Sequence, residues 1–223
     1  MTQQHDHDHE HGHGHQQHHF DQAFWDERYG STTAVWSGNP NQQLVCEVAD
    51  LPTGRALDVG AGEGADAVWL AQQGWDVVGL DVSPVALEKA ASHAAAAGAE
   101  VAARIEWRQG DLLGWEPEDE RFDLVTAHFM HLPADLRRQV FPRLAQAVAP
   151  GGRLLVVGHH PADHETVRKD FDEHFFYTGD DLLAELDLDG WDVETNTAPE
   201  REMLGADGEP VTIRDTVLRV RRP

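Results

Sequence analysis

The chain has 223 residues, 40% of them hydrophobic, with seven Trp and eight Phe, enough for one substantial core and short for two. Its 40 Asp and Glu against 17 Lys and Arg give a formal charge of −23, which argues against nucleic-acid partners and suits a small, uncharged or cationic ligand. No run approaches the roughly 18 to 20 apolar residues of a membrane helix and the polar start is unlike a signal peptide, so a cytoplasmic chain is expected.

Residues 1–19 hold eight His among Asp, Glu, Gly and Gln, without apolar periodicity, and read as a disordered tail. Alternating imidazole and carboxylate can gather a divalent metal such as Ni, Zn or Cu, which keeps a metal-handling protein open as a second function class. Residues 20–223 are expected to form one domain. Phe24, Trp25 and Tyr29 are spaced for one helical face. Core packing is expected of Trp25, and either packing or a lid over a bound cation of Trp36. A helix is predicted over 40–49. Within it Cys46, the only cysteine and so barred from an internal disulfide, is expected to be a small buried hydrophobe.

From Arg55 onward short apolar runs alternate with helical ones, the pattern of βα units on a parallel sheet. A strand over 56–59 leads to a helix over 64–73 that buries Val68, Trp69 and Ala71 and stops at Gly74. After a strand over 76–80, Ser83 caps a helix whose first residue is Pro84 and whose stop is Gly98. Strands over 104–108 and 122–127 follow, then a helix over 133–148 with Leu136, Val140, Leu144 and Val148 on one stripe. Pro150, Gly151 and Gly152 form a turn before a strand over 153–157, and Thr178 and Gly179 introduce a helix over 180–186. Strands over 191–197 and 211–220, joined through a turn at 206–210, make an antiparallel hairpin in which Arg219, Arg221 and Arg222 end an edge strand. The fold class is α/β: a Rossmann-like, doubly wound, seven-stranded, mostly parallel sheet with an antiparallel last strand.

In such a sheet ligands bind over the carboxyl ends of the strands. Gly60, Gly62 and Gly64 follow the first strand and permit a tight turn that a ligand can approach closely. Asp81 ends the second strand, where a carboxylate can accept both ribose hydroxyls of an adenosine. Asp111 follows the third, placed to take a hydrogen bond from an adenine amino group, with Leu112 as apolar contact; His128 follows the fourth. The turn also satisfies the dinucleotide fingerprint through Gly60, Gly62 and Ala65, so an NAD-dependent oxidoreductase is an alternative. Against it stand the helical region before the turn, Asp58 two residues ahead of the first glycine, and the closing hairpin.

Residues 57–64, Leu-Asp-Val-Gly-Ala-Gly-Glu-Gly, resemble the first motif of the class I S-adenosylmethionine-dependent methyltransferases. The similarity runs from Phe24 onward and is nearest to the small bacterial tellurite-resistance and thiopurine methyltransferase-like group. Residues 24–29 (Phe-Trp-Asp-Glu-Arg-Tyr), 110–112 (Gly-Asp-Leu), 150–152 (Pro-Gly-Gly) and the final hairpin carry it. The resemblance implies S-adenosylmethionine as cofactor and a small-molecule acceptor. Gly60, Gly62 and Gly64 would line the methionine side, Asp81 would hold the ribose, and Asp111 and Leu112 the adenine, with Asp58, Ala61 and Val82 also at the cofactor. Arg28 and Tyr29 would cover the methionine tail, with His128 beside the cofactor. A departure is that His128 and His131 stand where these relatives are often apolar.

Methyl transfer is an in-line displacement in which the protein positions the nucleophile and excludes water. Thiolates and metalloid oxyanions need no base, whereas a hydroxyl or protonated amine needs a proton acceptor such as His. His131, His159 and His160 are candidates on the ligand edge, a solvated or structural role being equally open for each, and the sequence assigns no catalytic residue.

Overall fold

The computed structural model describes residues 21–32, 38–130, 132–164, 173–204 and 208–223. The His-rich tail, Trp36, His131 and residues 206 and 207 of the 206–210 turn lie outside the described residues. Two helices precede the sheet. In α1 (Gln22–Gly30) the Asp21 carboxylate caps the first turn by accepting from the Phe24 N–H at 3.0 Å. In α2 (Gln42–Val48) the buried residues are Gln43, Leu44 and Val48. Cys46, two residues from Leu44, therefore turns outward and is exposed, contrary to the expectation of burial.

The βα units follow where local chemistry dictates them: β1 (Arg55–Val59), α3 (Ala65–Gln72), β2 (Asp76–Asp81) and α4 (Pro84–Ala97). The Ser83 hydroxyl accepts from the Ala86 N–H, and Gly74 takes φ +98°, as expected of a helix stop. α3 buries Ala67, Leu70 and Ala71. Val68 and Trp69, expected inside, are half-buried, because that face of the helix borders a cavity. A short α5 (Ala99–Ala102) precedes β3 (Ile105–Gln109), and then come β4 (Phe122–His128), α6 (Ala134–Ala147) and β5 (Val148–His159). The expected turn at Pro150 is instead a bulge within β5: Val148 pairs with Phe122, the register shifts, and Arg153 pairs with Leu124. Gly152 is required there, since a Cβ would stand 2.9 Å from the carbonyl oxygens of Ala149 and Phe122.

After α7 (Gly179–Glu185), which carries a capping box between Thr178 and Asp181, the chain forms β6 (Asp192–Thr197), β7 (Glu200–Leu204) and β8 (Pro210–Arg221). The sheet order is β3-β2-β1-β4-β5-β8-β6, parallel through β5, with β8 antiparallel to β5 and to β6, and β7 also paired to β8. The seven expected strands are thus eight segments. Past a register shift between Val193 and Thr195, β6 and β7 run along β8 in one register, Thr197 opposite Val217 and Glu200 opposite Arg214, with Pro199 at the break. Proline has no N–H to give to a ladder, which accounts for the interruption. β8 lies inside the sheet, so Arg219, Arg221 and Arg222 do not end an edge strand. Arg219 pairs with Glu194 and Glu47, Arg221 stands 3.6 Å from Asp192, and Arg222 donates to the Val148 carbonyl at 2.6 Å.

Alternation along the strands splits the core in two. Leu57, Val59, Val78, Leu80 and Val125 pack beneath α6 and α7 with Phe141, Leu144 and Leu182. Ala56, Val77, Leu124 and Leu155 pack with Leu44 of α2 and Leu70 of α3. The period of two also puts Asp58 and Thr126, partners across β1 and β4, on the same face as Ala56 and Leu124. Gly79, opposite Trp107 in the β2–β3 ladder, leaves room for that indole, whose far edge reaches Gly64. Gly79→Ala is expected to lower stability by about 1–3 kcal/mol in urea unfolding, because its Cβ would enter the Trp107 ring's contact radius.

Candidate functional site

The order of strands reverses between β1 and β4, and a cavity of about 1260 Å³ opens there over the carboxyl ends of β1 to β4. Its floor is the turn after β1. Gly60, Gly62 and Gly64 take φ of +71°, +54° and +84°, the left-handed region in which a Cβ would be strained. The Gly60 and Ala61 N–H groups donate to the Leu80 carbonyl at 2.8 and 3.0 Å, tying the turn to β2. Gly64 has a second reason to be glycine: its Cβ would lie 2.7 Å from the Trp107 ring and 2.8 Å from Ala90.

Asp81, at the end of β2, closes the floor from the other side. One carboxylate oxygen accepts from the Gly62 N–H at 2.8 Å and the other from the Ser83 N–H at 2.9 Å. Burial raises its pKa, opposed by these bonds and the Val82 N–H, with Asp26 adding a smaller upward push. Each oxygen retains a lone pair for a ligand hydroxyl.

Asp58 is buried at the end of β1, one oxygen accepting from the Thr126 hydroxyl at 3.0 Å. Its Oδ2 has no hydrogen-bond partner among the described residues. Burial first, and the neighbouring Asp66 second, push its pKa up to about 7, while His128 and Thr126 pull it down. A buried carboxyl in this condition suits a cation arriving in the cavity. Asp66 stands in the first turn of α3, and its two oxygens accept from the Asn41 N–H at 2.6 Å and meet His128 Nδ1 at 2.7 Å.

Of the residues expected at the site, Tyr29, Asp58, Gly60, Ala61, Gly62, Gly64, Asp81, Val82, Asp111, Leu112 and His128 all line this one cavity. Tyr29 is buried and stacks on Trp25, centroids 5.9 Å apart, so Trp25 walls the cavity as well as packing. Asp111 is exposed, one oxygen accepting from the Leu113 N–H at 2.9 Å. Arg28 is not brought to the others: it is exposed on α1, and the cavity lining passes it by, because the inward turn of the helix is taken by Trp25 and Tyr29. His159 is buried outside the lining, 4.7 Å from the Phe129 ring, and His160 accepts from the Ala162 N–H to start a 3-10 turn. Neither of the two lines the cavity.

Sequence reasoning missed Asp66, Asn41 and, on the far wall, Arg201 and Asp215. Arg201 Nε donates to the buried Asp215 carboxylate at 2.7 Å, and Gln43 donates to the same oxygen at 3.3 Å. An acidic residue in the first turn after the glycines was the one available signal for Asp66; its pairing with a residue 62 positions on was not.

The fold is that of the Rossmann-like methyltransferases. Residues 56–152 match a family described as a methyltransferase domain. The 2-heptyl-1-hydroxyquinolin-4(1H)-one methyltransferase of Mycobacteroides abscessus is 29% identical over 143 residues, 58% of this chain and 61% of that one. The probable thiol methyltransferase 2 of Arabidopsis thaliana is 30% identical over 138 residues, 60% of each chain. The chain thus spans about three fifths of the length of these curated relatives. A solved structure concerned with conversion of a disulfide bond into a thioacetal group during echinomycin biosynthesis is 26% identical, with 90% of this chain and 92% of that one covered and a TM-score of 0.66. TehB from Haemophilus influenzae shares the fold at 15% identity and a TM-score of 0.65, covering 89% of this chain and 67% of that one. Over residues 56–152 the chain is thus similar to methyltransferase domains. The sequence resemblance at residues 24–29 and 57–64 pointed to the class I S-adenosylmethionine-dependent methyltransferases and their smaller members; the similarity to the thiol methyltransferase agrees with it, and TehB shares the fold. Among the described residues no helix is long and apolar enough to cross a membrane.

Proposed function

We propose that the cavity is an S-adenosylmethionine site and that residues 20–223 act as one domain transferring the methyl group, by in-line displacement, to a small acceptor, a thiol or comparable sulfur nucleophile foremost. The observation that carries the reading is the meeting, at one cavity floor, of three left-handed glycines after β1 and a buried carboxylate after β2. In this arrangement the turn at Gly60, Ala61, Gly62 and Gly64 admits the methionine portion close to backbone. Asp81 and Val82 take the ribose, and Asp111 and Leu112 the adenine. Tyr29 and Trp25 cover the charged end, where the quadrupole of an aromatic face favours a cation. Asp58 supplies the counter-charge.

Sulfur is favoured as acceptor because two of the similar proteins, the Arabidopsis thiol methyltransferase and the structure from echinomycin biosynthesis, are described through sulfur chemistry. The cavity offers Phe129, Met130, Leu132, Leu136 and Phe175 as apolar contacts, which suit a weakly hydrated nucleophile.

The donor is a sulfonium with an ammonium, and a cation beside Asp58 lowers that carboxyl's pKa from about 7, so binding near neutral pH releases a proton. Calorimetry with S-adenosylmethionine in buffers of different ionisation enthalpy is expected to show that release, and Asp58→Asn to abolish it. Methylation of a thiol panel completes the test; absence of donor binding would sink the reading. The same raised pKa has a sign for stability. Asp58 contributes to the ligand-free fold below its ordinary value of 3.8, and that contribution is lost as pH rises through about 7.

A further inference from the structure

We infer that His128, oriented by Asp66, is the proton acceptor for a protonated acceptor thiol in this cavity. The inference rests on the proposed methyltransferase reading of the site and adds to it the group that handles the proton. Asp66 occupies the first turn of α3 and His128 ends β4, so two rigid elements on either side of the glycine turn bring the pair together at 2.7 Å. The Asp66 carboxylate is itself held from behind by the Asn41 N–H at 2.6 Å. A carboxylate at Nδ1 keeps the ring proton on that nitrogen and leaves the lone pair on Nε2. Nε2 is buried and has no hydrogen-bond partner among the described residues, on a side chain only 6% exposed whose residue lines the cavity. A donor docking from the cavity is the partner this nitrogen lacks. His159 and His160, the histidines after β5, have ring contacts or a capping bond elsewhere and do not line the cavity.

The step balances. His128 Nε2 takes the S–H proton as the sulfur's electron pair forms the new S–CH₃ bond, and the electron pair of the breaking sulfonium S–CH₃ bond returns to the donor sulfur. The imidazolium that results lies against Asp66, with Asp58 the other acidic group close by, and gives its proton to solvent after product leaves. A thiol ionised in water needs no such help, which makes acceptor acidity the discriminating variable.

The experiment compares the wild-type chain with His128→Gln and Asp66→Asn, using 2-mercaptoethanol, a thiol protonated at neutral pH, and thiocyanate, an anion with no proton to lose. The expected result is a loss of about a hundred- to ten-thousand-fold in kcat for the protonated thiol in His128→Gln. The loss shrinks as pH is raised and the thiol ionises, and with thiocyanate it is much smaller than with the protonated thiol. An equal loss with both acceptors would assign the pair a purely structural role and overturn the inference. The three side chains of Asp58, Asp66 and His128 offer atoms within 4.8 Å of one another, a span that a small cation also fits. Activity abolished by EDTA and restored by Mn²⁺ would therefore overturn it as well. Should neither acceptor be methylated, the acceptor class under the proposed function fails, yet the dyad is still decided by ¹⁵N NMR, with the His128 signals identified by their absence in His128→Gln. A neutral ring protonated at Nδ1 in the wild-type chain, shifting toward Nε2 in Asp66→Asn, supports the inference, and a wild-type ring protonated at Nε2 refutes it.

Discussion

Asp81→Asn is expected to weaken S-adenosylmethionine binding by at least about a hundredfold. Two ribose hydroxyls donating to an ionised carboxylate contribute about 1.5–3 kcal/mol each, and every 1.4 kcal/mol is tenfold in affinity. The loss has a second source. Both oxygens of Asp81 already accept backbone N–H groups, from Gly62 and Ser83, so an amide at this position faces one donor with another and pushes the glycine turn out of place. The two sources separate in a double-mutant cycle against a donor analogue lacking a ribose hydroxyl. The analogue should bind worse than the parent in the wild-type chain and about equally in Asp81→Asn, whereas a purely structural role for Asp81 leaves the ratio unchanged. Thermal unfolding of the ligand-free variant reports the structural part directly.

Arg137→Ala should destabilise the fold by about 3–5 kcal/mol. Arg137 is 3% exposed on α6, and its guanidinium meets Glu185 of α7 through two bonds of 2.7 Å while lying 4.6 Å over the Tyr177 ring. Removing it strands a carboxylate whose side chain is 11% exposed and takes the cation from the face of a buried aromatic ring. Because breaking such a pair costs more than exchanging it, Arg137→Met with Glu185→Leu should lose less than either single alanine variant. Urea unfolding of the two single alanine variants and of the Arg137→Ala/Glu185→Ala double variant gives the coupling, and additive losses would mean that the pair acts as two independent contacts.

Arg137 also illustrates which parts of the molecule were legible in the sequence. Ser83, Pro84 and Gly98 set the ends of α4 by chemistry within a few residues, and the glycine turn, Asp81 and the third-strand loop follow from the spacing of a βα repeat. Those features were read in their right places. On α6 the expected apolar stripe holds at Val140 and Leu144, whereas Val148 instead opens β5 and Leu136 is only half-buried; Arg137 is buried beside it because Glu185 and Tyr177 arrive from far along the chain. Cys46, expected inside, is exposed, while Gln43 is buried for the same reason: the partner that draws it inward is Asp215 on β8. The site shows the same division. Local turns placed Gly60, Gly62 and Asp81, whereas the union of Asp66 with His128 depends on β1 and β4 lying side by side, a neighbourhood that no local pattern records.

The place of β8 bears on the order in which the molecule can be made. β5 pairs on one side with β4, which precedes it, and on the other with β8, which comes after α7, β6 and β7. During synthesis the parallel half, including the turn at Gly60 and the Asp81 loop, leaves the ribosome with the outer edge of β5 bare, a row of unpaired amides flanked by Val156 and Leu154. That edge is covered only when the last long strand has emerged, and β6 and β7 have nothing to join until the same moment. A nascent chain arrested before β8 is therefore the form most exposed to intermolecular strand pairing, and the interval between the emergence of β5 and of β8 is the period in which a chaperone would matter most.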